Sequence, residues 1–192
     1  MNEGLNDDPD GAEGEVKEVF AHYGRAVYAA SCLETGLVIA LMKVELMAQT
    51  HGQARRERKA PSKGEWEAQF DAYMDRHHSF TLGTLIERFR SVWRVDASLD
   101  ALLDHALSRR NFLTHVFFRD RAVEFAHSDG RHSMIEELEA AHALLTRTDE
   151  AVQTAVAPIL PKLGIDPDRH RAQVEDIMHR SVADGVAASR RS

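Results

Sequence analysis

The sequence predicts an all-α protein: an antiparallel helical bundle with two long helices and shorter helices between and after them. Apolar residues recur at three-and-four spacing almost throughout the chain, and the strict alternation of strands is nearly absent. With 192 residues, 43% hydrophobic and 29% charged, the chain is long enough to bury a core of its own and too apolar to be disordered. A single cysteine, Cys32, rules out a disulfide framework and a thiolate zinc cluster. It is expected as a small core residue in a reducing cytoplasm.

The expected order of elements follows from periodicity and punctuation. Residues 1–14 are expected as a disordered acidic tail, without the charge pattern of a signal or transit peptide. Val16, Phe20, Tyr23, Val27, Ala30, Leu37, Leu41 and Val44 then mark one long helix to about Ala48. Its stretch Leu37–Met42 is apolar on all sides, which suits a well-covered central helix and is too short to cross a bilayer. Residues 51–64 read as a basic loop ended by Pro61 and Gly64. A short helix is expected from Glu65 to about Arg76, a break at His77-His78, and an amphipathic helix from Thr81 to Trp93. Ser98 is the expected N-cap of the next helix, which runs to about Phe118 with Leu99, Leu102, Leu103, Ala106, Leu113 and Phe117 inward. Val123–Ala126 forms a short piece or a bent continuation. Ser128-Asp129-Gly130 is a turn signal, and Met134, Ile135, Leu138, Leu145, Val152, Val156 and Ile159 mark a second long helix stopped by Pro158 and Pro161. The helical bundle is thus expected over 15–162, with a linker and short helix over 163–192.

One residue breaks the inward stripe of the Ser98 helix. Arg110 falls in its middle, where a guanidinium is costly to bury unless a carboxylate or phosphate faces it or a cleft opens over it. Glu34 occupies the core-facing stripe of the first helix and is the expected partner, either as neutralisation or as part of a site. Asn111 and His115 follow Arg110, giving the string Arg-Asn-Phe-Leu-Thr-His.

That string resembles the signature of HEPN domains (higher eukaryotes and prokaryotes nucleotide-binding), whose members carry Arg, four to six residues, then His. The form with Asn directly after Arg is frequent among their ribonuclease members. The loose pattern is unspecific, since Arg109 to His115 and Arg121 to His127 also match it. The tighter Arg-Asn-x-x-x-His occurs once in a chain with only three Asn. The resemblance covers about residues 15–160 in architecture, and six residues in motif. It implies a metal-independent endoribonuclease without a cofactor, a toxin or defence effector with an antitoxin as a further partner. Arg110, Asn111 and His115 would be catalytic, and Arg109, Arg119 and Arg121 would hold flanking phosphates. It also implies a homodimer, because residues five apart on one helix lie about 140° apart and two copies must flank a shared cleft. Some family members are silenced by modification of a Tyr two residues after the His; Phe117 stands there, which removes that control. The other reading is a non-catalytic dimerisation, RNA-binding or partner-binding module of the same fold, with Arg110 as a structural ion-pair member.

Other residues read more plainly. The Glu124–His127 and Glu139–His142 strings have di-iron spacing but lie on either side of the expected turn, a poor match to a bundle that spreads its ligands over separate helices. His77-His78 is expected as a solvated loop pair without a third ligand. The net charge of −7 does not exclude RNA, because residues 1–18 hold seven acids and one Lys, leaving the rest near neutral. Residues 51–64 and 109–121 are net basic, through Arg55, Arg56, Arg58, Lys59 and Lys63 and through Arg109, Arg110, Arg119 and Arg121.

Overall fold

The computed structural model describes residues 9–166, and every regular element among them is a helix. The chain enters at α1 (Pro9–Met42), widens for one turn into a π-helix (Lys43–Met47) and continues as α2 (Ala48–Glu57). After α3 (Lys63–His78), α4 (Leu82–Val92) and α5 (Ala97–His115) come two single-turn helices, α6 (Phe117–Asp120) and α7 (Ala122–Phe125). The long α8 (Ser128–Val156) and the short α9 (Ile159–Lys162) complete the described part. The expected C-terminal helix beyond 166 lies outside the described residues.

The ends of these helices have local causes. Proline is well placed at the first helical position, where its missing N–H has no partner to lose, and Lys17 pairs with Glu13 at 2.7 Å one turn on. Residues 9–14 of the expected disordered tail are therefore helical, while 1–8 lie outside the described residues. The basic stretch 51–64 is mostly helix as well: Gln53 donates to Glu57 across one turn at 2.9 Å, and α2 stops only at Arg58, which is left-handed with φ 52°. A loop of a few residues remains, ended by a capping box in which Ser62 and Glu65 bond each other's backbone N–H groups at 3.3 and 2.7 Å. Thr81 caps α4, accepting from the Thr84 N–H at 3.3 Å. Asp96, not Ser98, caps α5: its extended backbone lets the carboxylate take the Leu99 N–H at 2.9 Å. That helix ends at His115 rather than Phe118, because Val116 leaves helical geometry (φ −136°). The break lets Phe117 and Phe118 both join Tyr23, Phe20 and Phe125 in one aromatic cluster. Ser128–Gly130 is the first turn of α8 and not a loop; the chain reverses just before it, at an extended His127. Gly130 is needed for close approach, since a Cβ there would lie 2.1 Å from the Glu124 carbonyl oxygen.

The core is built around α1, whose Leu33, Leu37, Val38, Ala40 and Leu41 are essentially solvent-free and are covered by α4, α5 and α8. Sequence neighbours run antiparallel: Arg90 near the end of α4 reaches Asp100 and Asp104 near the start of α5, and Arg109 late in α5 reaches Glu137 early in α8. The two longest helices, however, run parallel. Glu15 pairs with Arg131 at 2.7 Å, His22 with Glu139 at 3.6 Å, and the Gly36 carbonyl accepts from Gln153 at 2.9 Å. Four reversals between α1 and α8 return the chain to its starting direction, so the antiparallel expectation holds between chain neighbours and not for this pair. An 18-residue window in Gly11–Glu57 reaches a mean hydropathy of 1.5, long and apolar enough to span a bilayer. The expectation that no segment qualifies thus fails for this helix, of whose window 44% is buried inside the protein.

Two glycines test this packing. Gly130→Ala is expected to lower unfolding free energy by about 1–3 kcal/mol, because backbone cannot yield to the new methyl. Gly52→Ala, which meets nothing within 4 Å inside α2, is expected to raise it by about 0.5–1 kcal/mol. Urea titration of both variants reads the difference, and equal effects would contradict the α7–α8 contact.

Candidate active site around Arg110

Leu99, Leu103, Ala106 and Leu113 of α5 are buried, and Arg110 lies among them on the side that faces α1. The expected partner is there: the Arg110 guanidinium stands 3.1 Å from Glu34 Oε1, with side chains 25% and 29% exposed. The contact is an ion pair and not a well-aligned hydrogen bond, since Glu34 Oε1 is buried yet accepts none. Arg110 also donates to Asn111 Oδ1 at 3.3 Å, and its carbonyl accepts from Thr114 Oγ1 at 3.0 Å. Arg110, Asn111 and Glu34 are thus brought together.

The rest of the expected set is dispersed. His115 is exposed in the last turn of α5, with no hydrogen bond or ion pair among the described residues. Arg109 and Arg121 converge on the α8 side, each 2.8 Å from Glu137. Both guanidinium groups lie over the Phe112 ring, at 5.5 and 5.3 Å from its centroid. With His105, Ser108 and Leu144 they line an open cleft of about 580 Å³. Arg119 is exposed and, among the described residues, pairs only with its neighbour Asp120, at 3.1 Å. Among the described residues no three His, Cys, Asp or Glu side chains converge as metal ligands, so the two Glu-x-x-His strings do not assemble a di-iron set.

A second cluster escaped sequence reasoning. His77 is not a solvated loop residue: α3 carries it to its C-terminal turn and buries it, 5% exposed. Its ring stacks on Tyr73 at 3.9 Å and meets Phe80 edge-on at 5.2 Å. The π turn of the first helix aims Glu45 at the same place, where its carboxylate accepts from Tyr73 Oη at 2.7 Å and pairs with Arg88 of α4. Burial first, and the Glu45 hydrogen bond second, push the Tyr73 hydroxyl far above its usual range. The only sequence signal was the one-turn spacing of Tyr73 and His77 together with a glutamate just past the apolar stretch of α1.

The chain matches no family model, and neither a curated protein nor a solved structure shows significant similarity to it.

Glu137 gives the site a pH signature. Burial alone would raise its carboxyl pKa, but hydrogen bonds from Arg121 and Arg109 outweigh it and hold the group below 4.5. A depressed carboxylate contributes stability above its ordinary pKa and loses it as pH falls through the folded value. Glu137→Gln is therefore expected to cost about 0.5–1 kcal/mol at pH 7, with the gap to wild type closing as pH falls below the ordinary glutamate pKa of about 4.3. Thermal unfolding across pH 3–7 measures it; a gap independent of pH would refute the assignment.

Proposed function

We propose that the chain is a metal-independent endoribonuclease of the HEPN type, acting as a cytoplasmic homodimer, a toxin or defence effector with an antitoxin partner. The observation that supports it is the setting of Arg110: a guanidinium one-quarter exposed and paired with Glu34, beside Asn111, one helical turn and a residue before the uncommitted His115. In a dimer the two motifs flank one cleft, which answers their separation around α5. Arg110 binds the scissile phosphate and stabilises the charge that grows on it. One His115 takes the proton of the ribose 2′-hydroxyl, and the 2′-oxygen attacks the adjacent phosphorus. The P–O5′ bond breaks, and the departing 5′-oxygen takes a proton from a protonated histidine, the role open to the partner copy's motif. The products are a 2′,3′-cyclic phosphate and a 5′-hydroxyl. Asn111 orients the guanidinium.

A second reading has its own support. Glu34 already neutralises Arg110, and Arg109 and Arg121 already share Glu137, as in a non-catalytic module that uses the fold for dimerisation, RNA binding or partner binding. The two separate cleanly. The nuclease reading expects RNA cleavage that persists in EDTA, leaves cyclic phosphate ends, and falls at least about 100-fold in Arg110→Ala and in His115→Ala. The module reading expects no cleavage and a stability loss of about 1–3 kcal/mol in Arg110→Ala alone. Cleavage untouched by both substitutions would end the nuclease reading.

A further inference from the structure

We propose that the outward face of α1 between Phe20 and Thr35 is a self-association surface. Its partner is a second copy of this chain, packed antiparallel across a two-fold axis. The surface stands on its own geometry; its consequence for catalysis rests on the nuclease reading.

The face follows from the helical period. α5 takes one edge of α1, where Tyr23 Oη donates to the Leu113 carbonyl at 3.2 Å and Glu34 pairs with Arg110. α8 takes another edge, where Gln153 donates to the Gly36 carbonyl at 2.9 Å. The side between them carries Phe20, Gly24, Tyr28, Ser31 and Thr35, all exposed and none charged. Phe20 is 52% and Tyr28 72% exposed. They are the exposed aromatic side chains among the described residues, and both lie on this one face, as interfaces gather them. Between Arg25 and Lys43 the one charged residue of α1 is Glu34, which Arg110 neutralises. A face without charge offers nothing to a nucleic acid or a charged peptide. It also lacks the row of Lys and Arg with which a helix lies on a membrane surface.

The face fits itself. Phe20, Gly24, Tyr28 and Cys32 form one row at four-residue spacing, the ridge on which helices most often pack. At one end Phe20 stands out as a knob, steadied by the Phe118 and Phe125 rings at 5.4 and 5.8 Å. At the other, Tyr28, Cys32, Thr35 and Ile39 line a groove of about 480 Å³. Phe20 and Cys32 lie about 18 Å apart along the axis. An antiparallel copy centred at the level of Ala26 therefore seats each Phe20 in the other copy's groove. Each Tyr28 then covers the other copy's Gly24, where a Cβ would meet nothing within 4 Å. Such an exchange is isologous, as two-fold dimers require. Phe20 and Tyr28 of two copies contribute roughly 500 Å², a large part of the roughly 1,200 Å² that a small specific interface buries.

A two-fold axis relating antiparallel helices lies in the plane of their contact and runs across both. What borders α1 on one edge therefore stands on the same side in both copies. Both α5 helices, with Arg110, Asn111 and His115, come to one side and flank a single groove, the shared cleft that the nuclease needs. A parallel pair would send them to opposite sides.

The test uses the full chain. Sedimentation equilibrium at micromolar concentration is expected to give twice the 21.6 kDa chain mass for the parent. Gly24→Arg, which puts a charge on the face where the protomer has open space, is expected to run at 21.6 kDa with helicity unchanged by circular dichroism. Phe20→Cys reads the direction. Oxidised with copper–phenanthroline, it is expected to form a disulfide-linked dimer through Cys32 of the other copy, and to lose it when Cys32→Ser is added. A crosslink that survives Cys32→Ser means parallel chains and overturns the proposal. So does a parent that stays monomeric, whether its face then proves to hold the chain's own residues beyond 166 or a phosphatidylglycerol vesicle. A Gly24→Arg variant that still dimerises overturns it as well, even if cleavage depends on Arg110. A dimer that Gly24→Arg dissociates but that cleaves no RNA sustains the surface and ends the nuclease reading alone.

Discussion

The constraint on which the rest depends is the coverage of α1. Between Leu33 and Leu41 its buried residues fall on more than one face, so a single partner helix cannot keep it dry and neighbours must pack around it. α8 runs along its length, α4 and α5 close other sides, and α3 adds only its C-terminal part, where His77 is its one buried side chain. The parallel course of α1 and α8 fits that demand, because two long helices in register share the longest contact. At Gly36 the side chains of Asp149 and Gln153 lie close over the α1 backbone, in the space a Cβ would take.

Polar residues on so thoroughly packed a helix cannot be left unpartnered, and this places the chemistry. Glu34 meets Arg110 of α5, Lys43 donates to Gln153 of α8 at 3.1 Å, and Glu45 gathers Tyr73 and Arg88 from α3 and α4. Each pairing crosses between helices, so each fixes a register as well as a charge. Burial lowers the Lys43 pKa and raises that of Asp149, which marks the α1–α8 seam as dry enough to be costly for charge. The π turn at Lys43–Met47 shifts the face that α2 presents and turns Glu45 toward α3 and α4.

What the sequence made legible was whatever helical period alone decides. The all-α class, the bounds of α4, the inward stripe of α5 and the meeting of Arg110 with Glu34 all follow from counting residues around a cylinder. Illegible features depended on a choice between equals or on distant contacts. Asp96 and Ser98 are both good caps, and only backbone angles separate them. Gly130 carries a turn-like signature, yet its smallness serves an approach to the Glu124 backbone. His77 reads as solvated because its burial comes from residues more than thirty positions earlier on α1, across a loop whose path no local pattern sets.

The charge pattern bears on how such a site would meet a polyanion. At rest Glu34 offsets Arg110, and Glu137 is shared by Arg109 and Arg121, so little of the basic count at 109–121 is free to attract phosphate from a distance. Binding at Arg110 would exchange one anionic partner for another, and the gain is only the difference between phosphate and a carboxylate whose buried Oε1 accepts no hydrogen bond. Weak dependence on salt and strong dependence on neighbouring contacts follow. His77 and Phe80 stand between the cleft at the π turn and the smaller cavity beside Glu34. Specificity at Arg110 would come from hydrogen-bond pattern and shape, the terms left once bulk charge has been neutralised internally.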